Sequence, residues 1–80
     1  MKLWLVNIAP ATTDDELKAF LHKYGPELEC THVERVEGDG SRPGALVQFA
    51  GTSVAMGNLA LRLHGMYWKG RALSASTMPG

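Results

Sequence analysis

The stretch Leu3-Trp4-Leu5-Val6-Asn7-Ile8 holds the side chain with the clearest chemical potential in this sequence. Along a strand, successive side chains point to opposite faces, so Leu3 and Leu5 claim one side and Trp4 the other. If Leu3 and Leu5 enter a core, Trp4 presents a flat indole to water, a surface on which another planar ring can stack. Covalent or metal chemistry finds less support. No Ser-His-Asp set, paired carboxylates or Walker-type glycine loop is apparent. His22, His32 and His64 are scattered without ligand spacing, and Cys30 is the single cysteine. Neither an enzyme nor a cofactor or metal site is expected, and Cys30 reads as a small buried or half-buried residue.

The 80 residues make one domain, spanning 1–80, near the lower limit for a core that folds without staples. One cysteine excludes an intrachain disulfide and favours a reducing compartment. The N-terminal apolar run is broken by Asn7 and Pro10, too short for a signal-peptide core, and no stretch reaches the length of a membrane span. The expectation is a soluble protein with no membrane association, cytoplasmic, or nuclear in a eukaryote. Eight basic and eight acidic residues cancel to a net charge of zero. That argues against a strongly electrostatic nucleic-acid clamp, though the distribution of charge matters more than its sum.

The elements that would position Trp4 follow from the pattern. Lys2 to Ala9 reads as a strand closed by Pro10. Thr13 and Glu16 form a capping box, with Asp14, Asp15 and Glu16 at the positive end of a helix dipole. Leu17, Phe20, Leu21 and Tyr24 make one helical stripe, and Gly25-Pro26 ends it with a left-handed turn residue and a helix breaker. Leu28 to Glu37 is a strand of uncertain register, because Val33 and Val36 cannot share a face by strict alternation. Residues 38–44, "GDGSRPG", read as a flexible turn. Ala45 to Phe49 is a strand with Ala45, Val47 and Phe49 inward and Leu46 and Gln48 outward. Thr52 starts a second helix with the stripe Met56, Leu59, Ala60 and Leu63, weakened by Gly57 and ended by Gly65. "GRALSAS" gives a last strand with Leu73 and Ala75 inward. Trp68, just before it, reads as core or half-buried. The order β-α-β-β-α-β implies an α+β, ferredoxin-like sandwich: a four-stranded antiparallel sheet with two helices on one face and the other face wet.

Across nearly its whole length the sequence resembles the RNA-recognition motif family. The family's first-strand signature (aliphatic, aromatic, aliphatic, any, Asn, aliphatic) is met by Leu3-Trp4-Leu5-Val6-Asn7-Ile8. The stripe Leu17, Phe20, Leu21, Tyr24, Gly25, the "RLHG" exit of the second helix and the "KGRAL" entry to the last strand are similar too. The third-strand signature departs from the family. Arg42-Pro43-Gly44-Ala45-Leu46-Val47-Gln48-Phe49 keeps the basic start and the inward residues, but the two outward aromatics are replaced by Gly44 and Leu46. Of three usual stacking rings, only Trp4 remains.

The resemblance implies a module for single-stranded RNA, or single-stranded DNA, with Trp4 stacking a base and Leu46 as an apolar floor. Val6, Gly44 and Gln48 would share that face. Lys2, Arg42 and Arg71 would meet phosphates, although solvated surface charge is the commoner fate of such residues. His32 and Gln48 could hydrogen-bond base edges. Asn7 is expected to cap the end of the first strand. Each missing ring removes about 1–3 kcal/mol of stacking, so the expected affinity is micromolar or weaker. A mildly basic open face with an acidic back is expected unless Glu34 points onto it. The alternative is a degenerate member that uses Trp4, Val6, Gly44 and Leu46 against a protein partner or a second copy of itself. Acylphosphatases and metal-carrying ferredoxin-like domains share the element order. The former need a basic residue in a loop such as "NIAPATT", the latter a cysteine pair, and this sequence has neither.

Overall fold

Leu3 and Leu5, both fully buried, fix the inward side of the first strand, and the rest of the sheet is built around it. The computed structural model describes residues 1–37 and 43–78. The elements run β1 (Lys2–Val6), α1 (Asp14–Tyr24), β2 (Glu29–Val36), β3 (Gly44–Ala50), α2 (Ser53–Leu63), β4 (Tyr67–Trp68), β5 (Arg71–Ala72) and β6 (Ser74–Met78). Strands β2, β3, β1 and β6 form the antiparallel sheet in that order, and β4 and β5 pair separately as a small hairpin. Ile8 N–H bonds Pro43 O and Phe49 N–H bonds Met1 O, extending the β1–β3 ladder at both ends. The core joins Leu3, Leu5 and Val47 of the sheet to Leu17 and Leu21 of α1 and Met56, Leu59 and Leu63 of α2. The α+β sandwich expected from the periodicities is the fold observed.

Helix α1 begins as the capping box requires. Glu16 N–H donates to Thr13 Oγ1 at 3.2 Å, and Thr13 N–H donates to Glu16 Oε1 at 3.0 Å. Arg35 of β2 ties this start to the sheet, donating to Thr12 O at 2.9 Å and to Asp14 Oδ1 at 3.2 Å. At the other end Gly25 departs from expectation. Its φ of −134° is not left-handed. Space is the constraint instead: a Cβ there would stand 3.2 Å from Leu59 Cδ2, so the missing side chain lets α1 end against α2.

Two features were not anticipated. The first is a register shift in β2 between Cys30 and His32, which leaves Thr31 as an extra residue. Cys30 opposite Phe49 and Val33 opposite Val47 therefore share the core side despite their odd spacing, and His32, Glu34 and Val36 all turn outward. The second is the hairpin. Lys69 and Gly70 both have positive φ, 54° and 79°, the geometry of a tight two-residue turn whose twist suits paired strands. The segment expected as one last strand is thus divided. Arg71 and Ala72 belong to the hairpin, and Ser74–Met78 alone joins the sheet. The hairpin folds onto α1: Trp68 stacks on Phe20 with centroids 4.1 Å apart, and Lys69 pairs with Glu16. The turn expected over residues 38–44 falls largely on residues 38–42, outside the described residues.

Gly57 lies on the outer side of α2 with open space where a Cβ would stand. Gly57→Ala is expected to stabilise the protein by about 0.5–1 kcal/mol, raising Tm by several degrees in a thermal melt followed by circular dichroism. The Glu16 carboxyl is held below its ordinary value of 4.5, by the Lys69 ammonium first and by Thr13 N–H second. A carboxyl depressed in the folded state adds stability above its unfolded pKa and loses it as pH falls through the folded value. Glu16→Gln should therefore cost stability at pH 7 and flatten the decline below about pH 4.5 in denaturant titrations taken across that range.

Candidate functional site

The two helices cover one side of the sheet, and on the other side the outward residues form a grid set by strand register. One row is His32–Gln48–Lys2–Met78, the next Glu34–Leu46–Trp4–Ser76, and the third Val36–Gly44–Val6–Ser74. Each residue is outward because its neighbours are inward: Ala45, Val47 and Phe49 on β3 and Ala75 on β6 are buried. Lys2, Trp4, Val6, Gly44, Leu46 and Gln48 thus share one face, as the sequence implied.

Trp4 occupies the centre of this face and is half-buried rather than bare. Its ring leans from β1 across β3. A Cβ built on Gly44 would stand 3.1 Å from Trp4 Cη2 and 3.4 Å from Cζ2. The same Cβ would lie 2.7 Å from Leu5 O, so the strands pass too closely here for any side chain. Gly44 is consequently buried beneath the benzo edge of the indole. The position that usually supplies a second ring instead supplies the bed on which the remaining ring lies, and Leu46 continues the apolar floor.

The charges on this face are mixed. Glu34 stands in the same row as Trp4, so the described part of the face sets Lys2 against Glu34 and carries no basic excess. Lys2, His32, Glu34, Leu46 and Gln48 line a small hollow on this face. Neither Lys2 nor Glu34 has an ion-pair partner among the described residues. Arg42 lies outside the described residues. Arg71 sits in β5, away from the four strands of the platform, and its guanidinium donates to Asn7 Oδ1 at 3.2 Å. Asn7 itself has a left-handed φ of 72° and donates from Nδ2 to Ala72 O at 3.0 Å, so it ends β1 and latches that end to the hairpin. Among the described residues no group of His, Cys, Asp and Glu could hold a metal ion, and no helix is long and apolar enough to cross a membrane.

Sequence reasoning placed six residues on the face but left His32 and Glu34 undirected. The signal was present in the spacing of Cys30 and Val33, two inward-type residues three apart, which a single bulge between them reconciles.

Comparison with known proteins adds the following. The RNA recognition motif family model matches residues 3–74. No curated protein sequence gives a significant match. The solved structure of the third such motif of Pes4 superposes with a TM-score of 0.81 at 16% identity, covering 99% of this chain and 92% of that one. The N-terminal three RNA binding domains of the yeast splicing factor Prp24 give 0.79 at 16% identity, over 99% of this chain and 33% of that one. SR1-RRM1 of Plasmodium falciparum, solved in complex with ACAUCA RNA, gives 0.65 at 11% identity, over 94% and 80%.

The close approach at Gly44 makes a direct prediction. Gly44→Ala should destabilise the fold by about 1–3 kcal/mol, the usual cost of overpacking, and should tilt the indole out of its bed. Chemical denaturation measures the first effect. The accessibility of Trp4 to an acrylamide quencher, read in a Trp68→Phe background, measures the second.

Proposed function

Because the chain belongs to the RNA recognition motif family, we propose that it binds single-stranded RNA across the open sheet face, with Trp4 as its main stacking residue. The observation that supports this most is the outward indole at the centre of a four-stranded face that no described element covers, bedded on Gly44 and flanked by Leu46. A ring held down on one side and open on the other loses little freedom when a base is laid on it, so less of the stacking energy is spent on ordering. Lys2, in the adjoining row, would meet a phosphate, and Gln48 and His32 would meet base edges. The RNA-bound Plasmodium structure shares this fold and supports the same ligand class here.

The binding is modest. One ring contributes about 1–3 kcal/mol of stacking, and a face whose described charges offset each other adds little phosphate attraction. The dissociation constant is expected in the micromolar range or weaker, about −8 kcal/mol or less favourable. Single-stranded DNA should bind by the same stacking, since every base has a π-face. A second reading rests on exposed apolar side chains at two opposite corners of the platform, Val36 on β2 and Met78 on β6, which are 39% and 43% exposed. A second copy of the chain laid across the face could cover them together with Trp4, Val6, Gly44 and Leu46, and sedimentation across a range of concentrations separates the two readings.

Trp4→Ala should weaken binding of a fluorescein-labelled random RNA hexamer by about 5- to 150-fold, the equivalent of one stacked base. Fluorescence anisotropy at 25 mM and 150 mM salt reads this directly, and Trp4→Phe should recover part of the loss. Unchanged binding by Trp4→Ala would overturn the stacking role. Absence of binding by the wild-type chain at the lower salt would overturn the RNA reading.

A further inference from the structure

We infer that the outer edge of β6 pairs with the same edge of a second copy of the chain, joining two sheets into one continuous sheet. The four strands end in β2 on one side and β6 on the other, and the two edges are built differently. An unpaired edge strand presents N–H and C=O groups that another strand can take up, and charged side chains and bulges are the usual guards against this. Strand β2 carries Glu29, Glu34 and Arg35 and the bulge at Thr31. Strand β6, Ser74-Ala75-Ser76-Thr77-Met78, has no charged residue and runs in unbroken register with β1. Beside it lies a groove walled by α2, where Val54 and Leu61 are 72% and 79% exposed with Gly57 between them. No described residue lining that groove is an aspartate, glutamate, lysine or arginine.

Ladder phase identifies the free groups. Ala75 N–H donates to His64 Nδ1 at 3.1 Å and so points away from β1, which makes Ala75 and Thr77 the residues whose backbone faces outward. Thr77 N–H and the carbonyls of Ala75 and Thr77 have no partner among the described residues. A two-fold axis centred on Ser76 sets Ala75 opposite Thr77 of the second copy and Thr77 opposite its Ala75, each pair exchanging both N–H···O bonds. His64 is exposed, so its ring can swing aside and yield Ala75 N–H to the incoming strand. The axis stands perpendicular to the sheet. Both α2 helices therefore lie on the same side, and Val54 and Leu61 of each copy close the groove between them. A charge beside such an axis would meet its own copy, and this edge and groove carry none. So short a ladder is too small for a tight dimer, and the apolar side chains of α2 must supply much of the buried area. The pairing leaves the open face free and does not depend on RNA binding. It sets the two copies of Trp4 in one row through Ser76, three strand spacings or about 14 Å apart.

Sedimentation equilibrium from about 10 μM to 1 mM tests this with the wild-type chain and three variants, each shown to be folded by circular dichroism. Thr77→Pro removes an outward N–H without touching the β1 ladder, and edge strands tolerate proline there. Leu61→Glu places like charges on the two walls of the groove, at a site already in water. Trp4→Ala alters only the open face. The wild-type chain should dimerise with a dissociation constant inside that range. Both edge variants should weaken the dimer about tenfold or more, and Trp4→Ala should leave it within about twofold. Should Thr77→Pro fail to fold, Leu61→Glu decides alone. A wild-type chain that stays monomeric at the highest concentration, or a dimer that survives Leu61→Glu, would overturn the assignment. A dimer lost with Trp4→Ala would put the contact on the sheet face and overturn it equally.

Discussion

Phase along β1 is the constraint from which the site follows. Leu3 and Leu5 are wholly buried, so the pleat turns Lys2, Trp4 and Val6 to the other side. A slip of one residue would place a lysine and an indole in the core and two leucines in water, exchanging several kcal/mol of apolar burial for the cost of an unpaired buried charge. Pairing on both flanks fixes the same phase twice: Leu3 faces Val47 on β3, and Leu5 faces Ala75 on β6. The position of the indole is therefore set by residues on the opposite side of the strand.

Gly44 shows how the face compensates for what it lacks. In a sheet interior glycine costs stability, because it loses more backbone freedom than other residues and packs nothing. Here the strands close on one another, and Leu5 O leaves no room for a Cβ. The indole fills the space above. A lone tryptophan standing free would sample several rotamers and lose them on binding; laid against Gly44 and beside Leu46, it is already in place. In the proposed binding, the loss of two rings would thus be offset in part by the preorganisation of the third.

Most of the fold was legible because its signals are local. The capping box at Thr13 and Glu16, the stripes of both helices and the alternation of Ala45, Val47 and Phe49 are each written within a few residues. What was not legible depends on partners distant in the chain. The bulge at Thr31 is visible only against β3, and it alone decides that His32 and Glu34 share the platform. The hairpin around Lys69-Gly70 needs Phe20 and Glu16 on α1 to hold it, and once formed it removes Arg71 from the last strand and gives it to Asn7. Gly25 carried the residue type of a left-handed cap, but its cause was the approach of Leu59 from another helix. Residue type names a set of uses, and tertiary contact selects one of them.

Charge distribution separates this face from a general nucleic-acid clamp. A clamp gains affinity by releasing counterions from phosphates, an effect that grows with each lysine or arginine and is indifferent to sequence. Here the chain is neutral overall, and the described platform carries a glutamate in the row of Trp4. Such a face offers little non-specific attraction, so the RNA binding proposed above would draw on stacking and on hydrogen bonds to base edges. Stacking is tolerant of sequence. In the proposed complex that glutamate would oppose the phosphates of every sequence alike, so total affinity would stay weak.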